Sequence, residues 1–157
     1  RNIIGLPADT DRHRKSARQV LDILPKAAFE LVCSSQESEF IKYACNTFYY
    51  AKVVYMNALY DLALKIGVDW SRVKPALAAE PWIGLMHIEP VHKPGRGAGG
   101  HCLIKDYAAF KRFFEENLPE AVQDIKLLRV IEKNNTDLLV STKKDLEVLK
   151  KVYGRDF

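Results

Sequence analysis

The stretch QESEFIKYACNTFYYAKVVYMNALYDLALKI, residues 36–66, contains neither glycine nor proline and repeats apolar side chains at helical spacing. Phe40, Ala44, Phe48, Ala51, Tyr55, Ala58 and Leu62 follow steps of three and four, while Ile41, Cys45, Val53, Met56 and Leu64 fill further faces. The pattern predicts a helix of about thirty residues, apolar most of the way round and therefore buried on several sides, in a helical core or against another subunit. Gly67 ends it. Toward the C-terminus a second helix is expected over residues 70–79, after Asp69 and before Glu80-Pro81. Residues 102–117 return to helix, and Pro119 opens a helical stretch to about residue 152, read as one or two helices with a break near Asn134-Asn135. Toward the N-terminus, residues 2–6, 11–24 and 28–33 read as strand, helix and strand, the spacing of a βαβ unit. The fold class is mainly α, an all-helical body preceded by the small βαβ edge of a sheet.

Two short strands do not make a stable sheet by themselves, and the chain opens on Arg1 inside an apolar run. The sequence therefore reads as a piece of something longer. Its 157 residues are 48% hydrophobic and 28% charged, which suits a globular chain and neither a disordered nor a membrane protein. No stretch approaches the ~18 apolar residues of a membrane span, so no membrane partner and a cytoplasmic location are expected. The charge of +4, from 24 basic and 20 acidic residues, is too small for an electrostatic footprint on nucleic acid, and none is expected as a partner. The one basic cluster, Arg12, His13, Arg14, Lys15 and Arg18, reads as the solvated face of a helix. Three cysteines at irregular spacing, Cys33, Cys45 and Cys102, make neither a disulfide framework nor a metal site, which favours a reducing compartment.

The chemistry concentrates in two places. Residues 81–101 form a loop carrying Pro81, Pro90, Pro94 and Gly84, Gly95, Gly97, Gly99 and Gly100, and a loop that long is more often functional than idle. It ends in Gly97-Ala98-Gly99-Gly100-His101-Cys102-Leu103-Ile104-Lys105-Asp106. The glycines let backbone approach a ligand, and the start of a helix stabilises a thiolate. Lys105 and Asp106, three and four residues on, return to the face of Cys102, so nucleophile, charge and base fall within one turn. The same residues also read as a small apolar side chain beside an ordinary surface pair. A cysteine hydrolase with His101 as base is a weaker reading, because adjacent residues at a helix start point in different directions. The second place is Lys42 and Asn46, four apart amid Phe40, Ile41, Ala44 and Phe48. Together they would donate to a developing oxyanion, or Lys42 reaches solvent and Asn46 bonds a neighbouring carbonyl.

Four segments in order carry a resemblance: residues 37–48 (ESEFIKYACNTF), 67–70 (GVDW), 81–84 (PWIG) and 99–106 (GGHCLIKD). They are similar to the UDP-glucose/GDP-mannose dehydrogenase family, its central helical dimerisation domain and, at residues 1–34, the end of its Rossmann-like NAD-binding domain. The resemblance implies an all-helical domain over residues 35–157, of the 6-phosphogluconate dehydrogenase C-terminal-like type, that forms a homodimer through the helix at 36–66. It implies an NAD-dependent two-step oxidation of a nucleotide sugar at C6, without release of the aldehyde. Cys102 matches the nucleophile that passes through thiohemiacetal and thioester. Lys42 and Asn46 match the residues that stabilise the oxyanion and position water. Asp106 matches the carboxylate that assists water, and Lys105 a lysine near the cofactor. Gly97, Gly99, Gly100 and Leu103 fall on the loop and helix start that line the sugar nucleotide.

The chain also departs from the family pattern. Trp82 stands where an arginine usually reaches the neighbouring subunit's substrate, Ala98 replaces a phenylalanine, and Leu103-Ile104 replaces Phe-Pro. No G-x-G-x-x-G follows a strand at the start of the chain, so the pyrophosphate cradle is lacking. The expectation is a dehydrogenase piece inactive by itself, with a non-catalytic helical dimerisation module as the alternative.

Overall fold

In the computed structural model, residues 1–93, 95–154 and 156–157 are described; Pro94, counted above among the loop prolines, lies outside them. The chain divides into two units, Arg1–Cys45 and Asn46–Phe157.

In the first unit, β1 (Asn2–Leu6) and β2 (Glu30–Ser34) pair in parallel, Asn2 opposite Glu30 and Leu6 opposite Ser34. The crossover is α1 (Asp11–Ile23). Thr10 caps it by accepting a hydrogen bond from the His13 N–H at 3.3 Å, and Pro25 follows its last turn. The long helix α2 (Ser35–Lys65) starts here with a reciprocal cap. Ser34 Oγ accepts from the Glu37 N–H at 3.2 Å, and Glu37 Oε2 accepts from the Ser34 N–H at 2.8 Å. Those bonds to Ser34 hold the Glu37 carboxyl below its ordinary range.

The second unit contains the rest of α2, then α3 (Trp70–Ala79), β3 (Val91–His92), β4 (Gly95–Arg96), α4 (His101–Asn117), α5 (Val122–Ser141) and α6 (Leu146–Tyr153). Asp69 caps α3, its Oδ1 accepting from the Ser71 N–H at 2.9 Å. Two buried clusters hold these helices together. Tyr50, Val53 and Val54 of α2 meet Ala98 and Tyr107, with Leu103, Leu128 and Ile131 against them. Ile104 of α4, Leu139 of α5 and Leu149 of α6 form the other. Within the first cluster Tyr50 and Tyr107 stack with ring centroids 4.0 Å apart, a contact worth about 0.5–1.5 kcal/mol beyond the area it buries.

Two expectations are revised. The region of residues 81–101 is not all loop, since β3 and β4 pair antiparallel, Val91 opposite Arg96. The helical stretch after Pro119 does not break at Asn134-Asn135: α5 runs through both, and the break falls after Ser141, where Lys143 and Asp145 adopt positive φ of 54° and 53°. Asn135 is tolerated inside the helix because its amide is fully engaged on another segment. On α2, expected to be buried in a helical core or against another subunit, one row is open within the chain. Phe48, Tyr55 and Leu62, spaced by seven residues, are 63%, 61% and 56% exposed, and Phe40 is exposed as well.

Candidate active site

The second unit joins three of the candidate residues through side chains. Asn46 sits one turn before Tyr50 on α2, and Asp106 is next to Tyr107 on α4, so the tyrosine stack fixes which polar groups of the two helices face each other. Asn46 Nδ2 donates to Asp106 Oδ2 at 2.7 Å. The Asp106 side chain is 1% exposed, and its Oδ1 lies 3.0 Å from the Lys105 ammonium. A buried carboxylate is tolerated only when paired and hydrogen-bonded; here an amide holds one oxygen and a cation flanks the other. Cys102 is an exposed free thiol on the first turn of α4, four residues before Asp106. Arrangements of this kind place a nucleophile where helix N–H groups are unpaired and a fixed proton acceptor one turn away.

Lys42 belongs to the first unit. Its ammonium lies 3.8 Å from Glu39 and 5.2 Å from the centre of the Tyr43 ring. Of the residues placed on the sugar-nucleotide loop, Leu103 packs on the buried Tyr50 cluster. Gly97 has φ +88° and Gly100 φ +81°, a region that suits glycine. Gly99 is explained by space: a Cβ there would lie 2.1 Å from Asp145 Oδ2. The close approach at Gly99 is therefore to the Asp145 and Lys144 side chains of the protein's own α5–α6 turn.

That turn was not apparent from the sequence as part of the site. Asn135 Oδ1 accepts from the Ala98 N–H at 2.6 Å, and its Nδ2 donates to the Ala98 carbonyl at 3.0 Å. Lys144 Nζ donates to the Gly97 carbonyl at 2.9 Å, Asp145 Oδ2 accepts from the Gly100 N–H at 2.7 Å, and Thr142 Oγ1 accepts from the Arg96 N–H at 3.1 Å. Burial lowers the Lys144 ammonium from its ordinary range, opposed in part by Asp145. The only hint in the sequence was a polar Asn-Asn pair in mid-helix, where asparagine is a poor helix former.

A second fixed segment lies at residues 82–88. Lys52 Nζ donates to the carbonyls of Ile83 at 2.6 Å and Met86 at 2.5 Å. His87, at φ 62°, stacks on Tyr49 with centroids 4.7 Å apart. Trp82, at the head of this segment, is 93% exposed.

The first unit does not supply a dinucleotide cradle. Its β1–α1 connection, Pro7-Ala8-Asp9-Thr10, has no glycine, and it is closed by the Asp9 carboxylate on Arg14 and by the Thr10 cap. A pyrophosphate needs a glycine turn with free N–H groups, so this connection does not fit the pyrophosphate of NAD.

The thiol and the donor-bound carboxylate one turn apart on α4 both fall in the last of the four sequence segments, residues 99–106. Residues 36–137 match the central domain of the UDP-glucose/GDP-mannose dehydrogenase family, and the chain belongs to this family. It is 33% identical over 105 residues to a UDP-glucose 6-dehydrogenase of Pseudomonas aeruginosa, covering 67% of this chain and 21% of that protein. Similarity to the UDP-glucose 6-dehydrogenase TuaD of Bacillus subtilis is 31% over 121 residues, 76% of this chain and 24% of that one. The structure of a UDP-glucose dehydrogenase from the archaeon Pyrobaculum islandicum superimposes with a TM-score of 0.69 at 27% identity, covering 97% of this chain and 32% of that one. The chain thus spans between a fifth and a third of the length of these relatives. Among the described residues, no helix is long and apolar enough to cross a membrane.

Proposed function

We propose that the chain is the central portion of a cytoplasmic nucleotide-sugar 6-dehydrogenase, with Cys102 the nucleophile that carries the sugar between two oxidations. The observation that carries this is the Asn46–Asp106 hydrogen bond of 2.7 Å, which holds a buried carboxylate one turn from an exposed thiol. The Cys102 thiolate adds to the C6 aldehyde carbon, and the oxyanion formed is met by the remaining Asn46 N–H; Lys42 is assigned to the same oxyanion on the resemblance alone. NAD, the hydride acceptor that the resemblance implies, supplies the oxidations, and its pyrophosphate is held elsewhere than on these residues. Hydrolysis of the thioester uses the chain's own groups. Asp106 takes one proton from water, the water oxygen bonds the carbonyl carbon, and the C–S bond breaks to return the thiolate and leave a carboxylic acid, which loses its proton to solvent. Lys105, on the same turn, is assigned to the cofactor side, and the backbone of residues 97, 99, 100 and 103 to the sugar nucleotide. The partner is a second copy docked along the exposed face of α2.

The test is alkylation by iodoacetamide at pH 7 with and without UDP-glucose, followed by peptide mapping. Cys102 is expected to react faster than Cys33 and Cys45 and to be protected by UDP-glucose. Equal rates at all three cysteines, without protection, point instead to a dimerisation module with no chemistry. With NAD and UDP-glucose these 157 residues alone are expected to form no NADH; robust NADH formation overturns that part of the proposal.

A further inference from the structure

The start of α4 has no capping side chain of its own. Gly100 is its N-cap residue at positive φ and has no side chain to cap with. The hold comes from a different place in the chain. After Ser141 two left-handed residues, Lys143 and Asp145, bring both Lys144 and Asp145 against residues 97–100. Nearly two turns before the end of α5, Asn135 binds both the N–H and the carbonyl of Ala98. Every side-chain bond to this loop described above comes from α5 or from the turn that follows it. Close packing accompanies the bonding: a Cβ on Gly97 would approach Asn135 Oδ1 to 3.0 Å, and one on Gly99 would meet the Lys144 side chain at 2.7 Å. The last of these bonds, Gly100 N–H to Asp145, acts two residues before Cys102.

We propose that Asp145 and Asn135 are positioning residues for Cys102: they clamp the backbone of residues 97–100 and so set where the first turn of α4 presents its thiol. The proposal rests on the reading of Cys102 as nucleophile, but the clamp has readouts of its own. Two variants separate its hydrogen bond from its charge. Asp145→Asn keeps an acceptor oxygen and a residue type at ease in the left-handed region. Asp145→Gly keeps the backbone conformation and loses the acceptor. Both remove the carboxylate, so the charge is the same in the two, and the acceptor on Gly100 is present in the Asn variant and absent, with its side chain, in the Gly variant.

The measurement is the rate of Cys102 alkylation by iodoacetamide at pH 7, with Cys33 and Cys45 as references in the same molecule, alongside thermal unfolding and amide exchange at Gly100. Asp145→Gly is expected to slow Cys102 relative to Asp145→Asn by roughly two- to fivefold, the range set by loss of an ordered helix terminus. Gly100 exchange quickens, while Cys33, Cys45 and the unfolding midpoint do not move. A merely structural role lowers the midpoint and leaves the Cys102 ratio at one, and that result overturns the proposal. Should Asp145→Gly not fold, the unsubstituted chain decides: Ala98 and Gly100 amides that exchange as slowly as those inside α4 support the clamp, and freely exchanging ones overturn it. Failure of the nucleophile reading looks different, since Cys102 in the unsubstituted chain is then no faster than Cys33 or Cys45, whatever the variants do.

Discussion

Asp106 is the residue on which the site's energetics turn, because a carboxylate 1% exposed depends on the groups around it. Removing the Asn46 donor leaves the buried oxygen Oδ2 without its 2.7 Å partner, and such a loss costs about 1–3 kcal/mol. Asn46→Ala is therefore expected to lower stability by that amount in urea unfolding, with an unchanged denaturant slope. A midpoint equal to that of the parent chain would show that water or Lys105 replaces the amide. Part of this was legible in the sequence. Helical spacing put Cys102, Lys105 and Asp106 on one turn, and Lys42 with Asn46 on another. The contact between Asn46 and Asp106 spans 60 residues and follows no spacing rule. The break expected near Asn134-Asn135 falls later because the partner of Asn135, the Ala98 backbone, is 37 residues away and a backbone group leaves no mark in sequence.

At the scale of elements, the strand, helix, strand and long-helix succession came from period and punctuation, and the helix at 70–79 has the expected ends. The β3–β4 pair did not, since two-residue strands have no periodicity to detect. Nor did the structure of residues 82–88, which is imposed by Lys52 of α2 from outside the segment. Burial, and then the Lys52 charge, lower the His87 imidazole from its ordinary range, so the seated segment prefers His87 neutral. The sign follows: when the segment opens, His87 binds protons more readily, so the seated form loses stability as pH falls below the ordinary imidazole value of about 6.5. Amide exchange over residues 82–88, corrected for its intrinsic pH dependence, is expected to quicken between pH 7.5 and 5.5. In Lys52→Met the segment is already open at pH 7.5, because the carbonyls of Ile83 and Met86 have lost their donor. Protection in that variant equal to the parent's would mean that the Tyr49–His87 stack alone seats the segment.

For the whole molecule, the long helix carries the main unspent surface. It runs 31 residues, about 47 Å at 1.5 Å per residue. Phe48, Tyr55 and Leu62 recur along it once every seven residues with more than half of each side chain in water. An apolar row of that regularity on a helix suits a second helix laid beside it. Light scattering at micromolar concentration is expected to give the mass of two chains, and Tyr55→Arg with Leu62→Arg the mass of one. A single-chain mass for the parent overturns the homodimer. The sequence made the row visible as an apolar stripe, but periodicity could not say whether the chain's own helices cover it, which depends on where α4 and α5 pack.

The exposure of Trp82 has an optical consequence. Of the two indoles, Trp70 packs edge-on against Tyr60 at 5.6 Å, whereas Trp82 is held out in water on a segment pinned by Lys52. The chain's fluorescence therefore divides into a shielded emitter and one open to iodide. Whatever comes to lie over residues 82–88, a sugar nucleotide or another subunit, announces itself by taking the second emitter out of the quencher's reach, with no label attached.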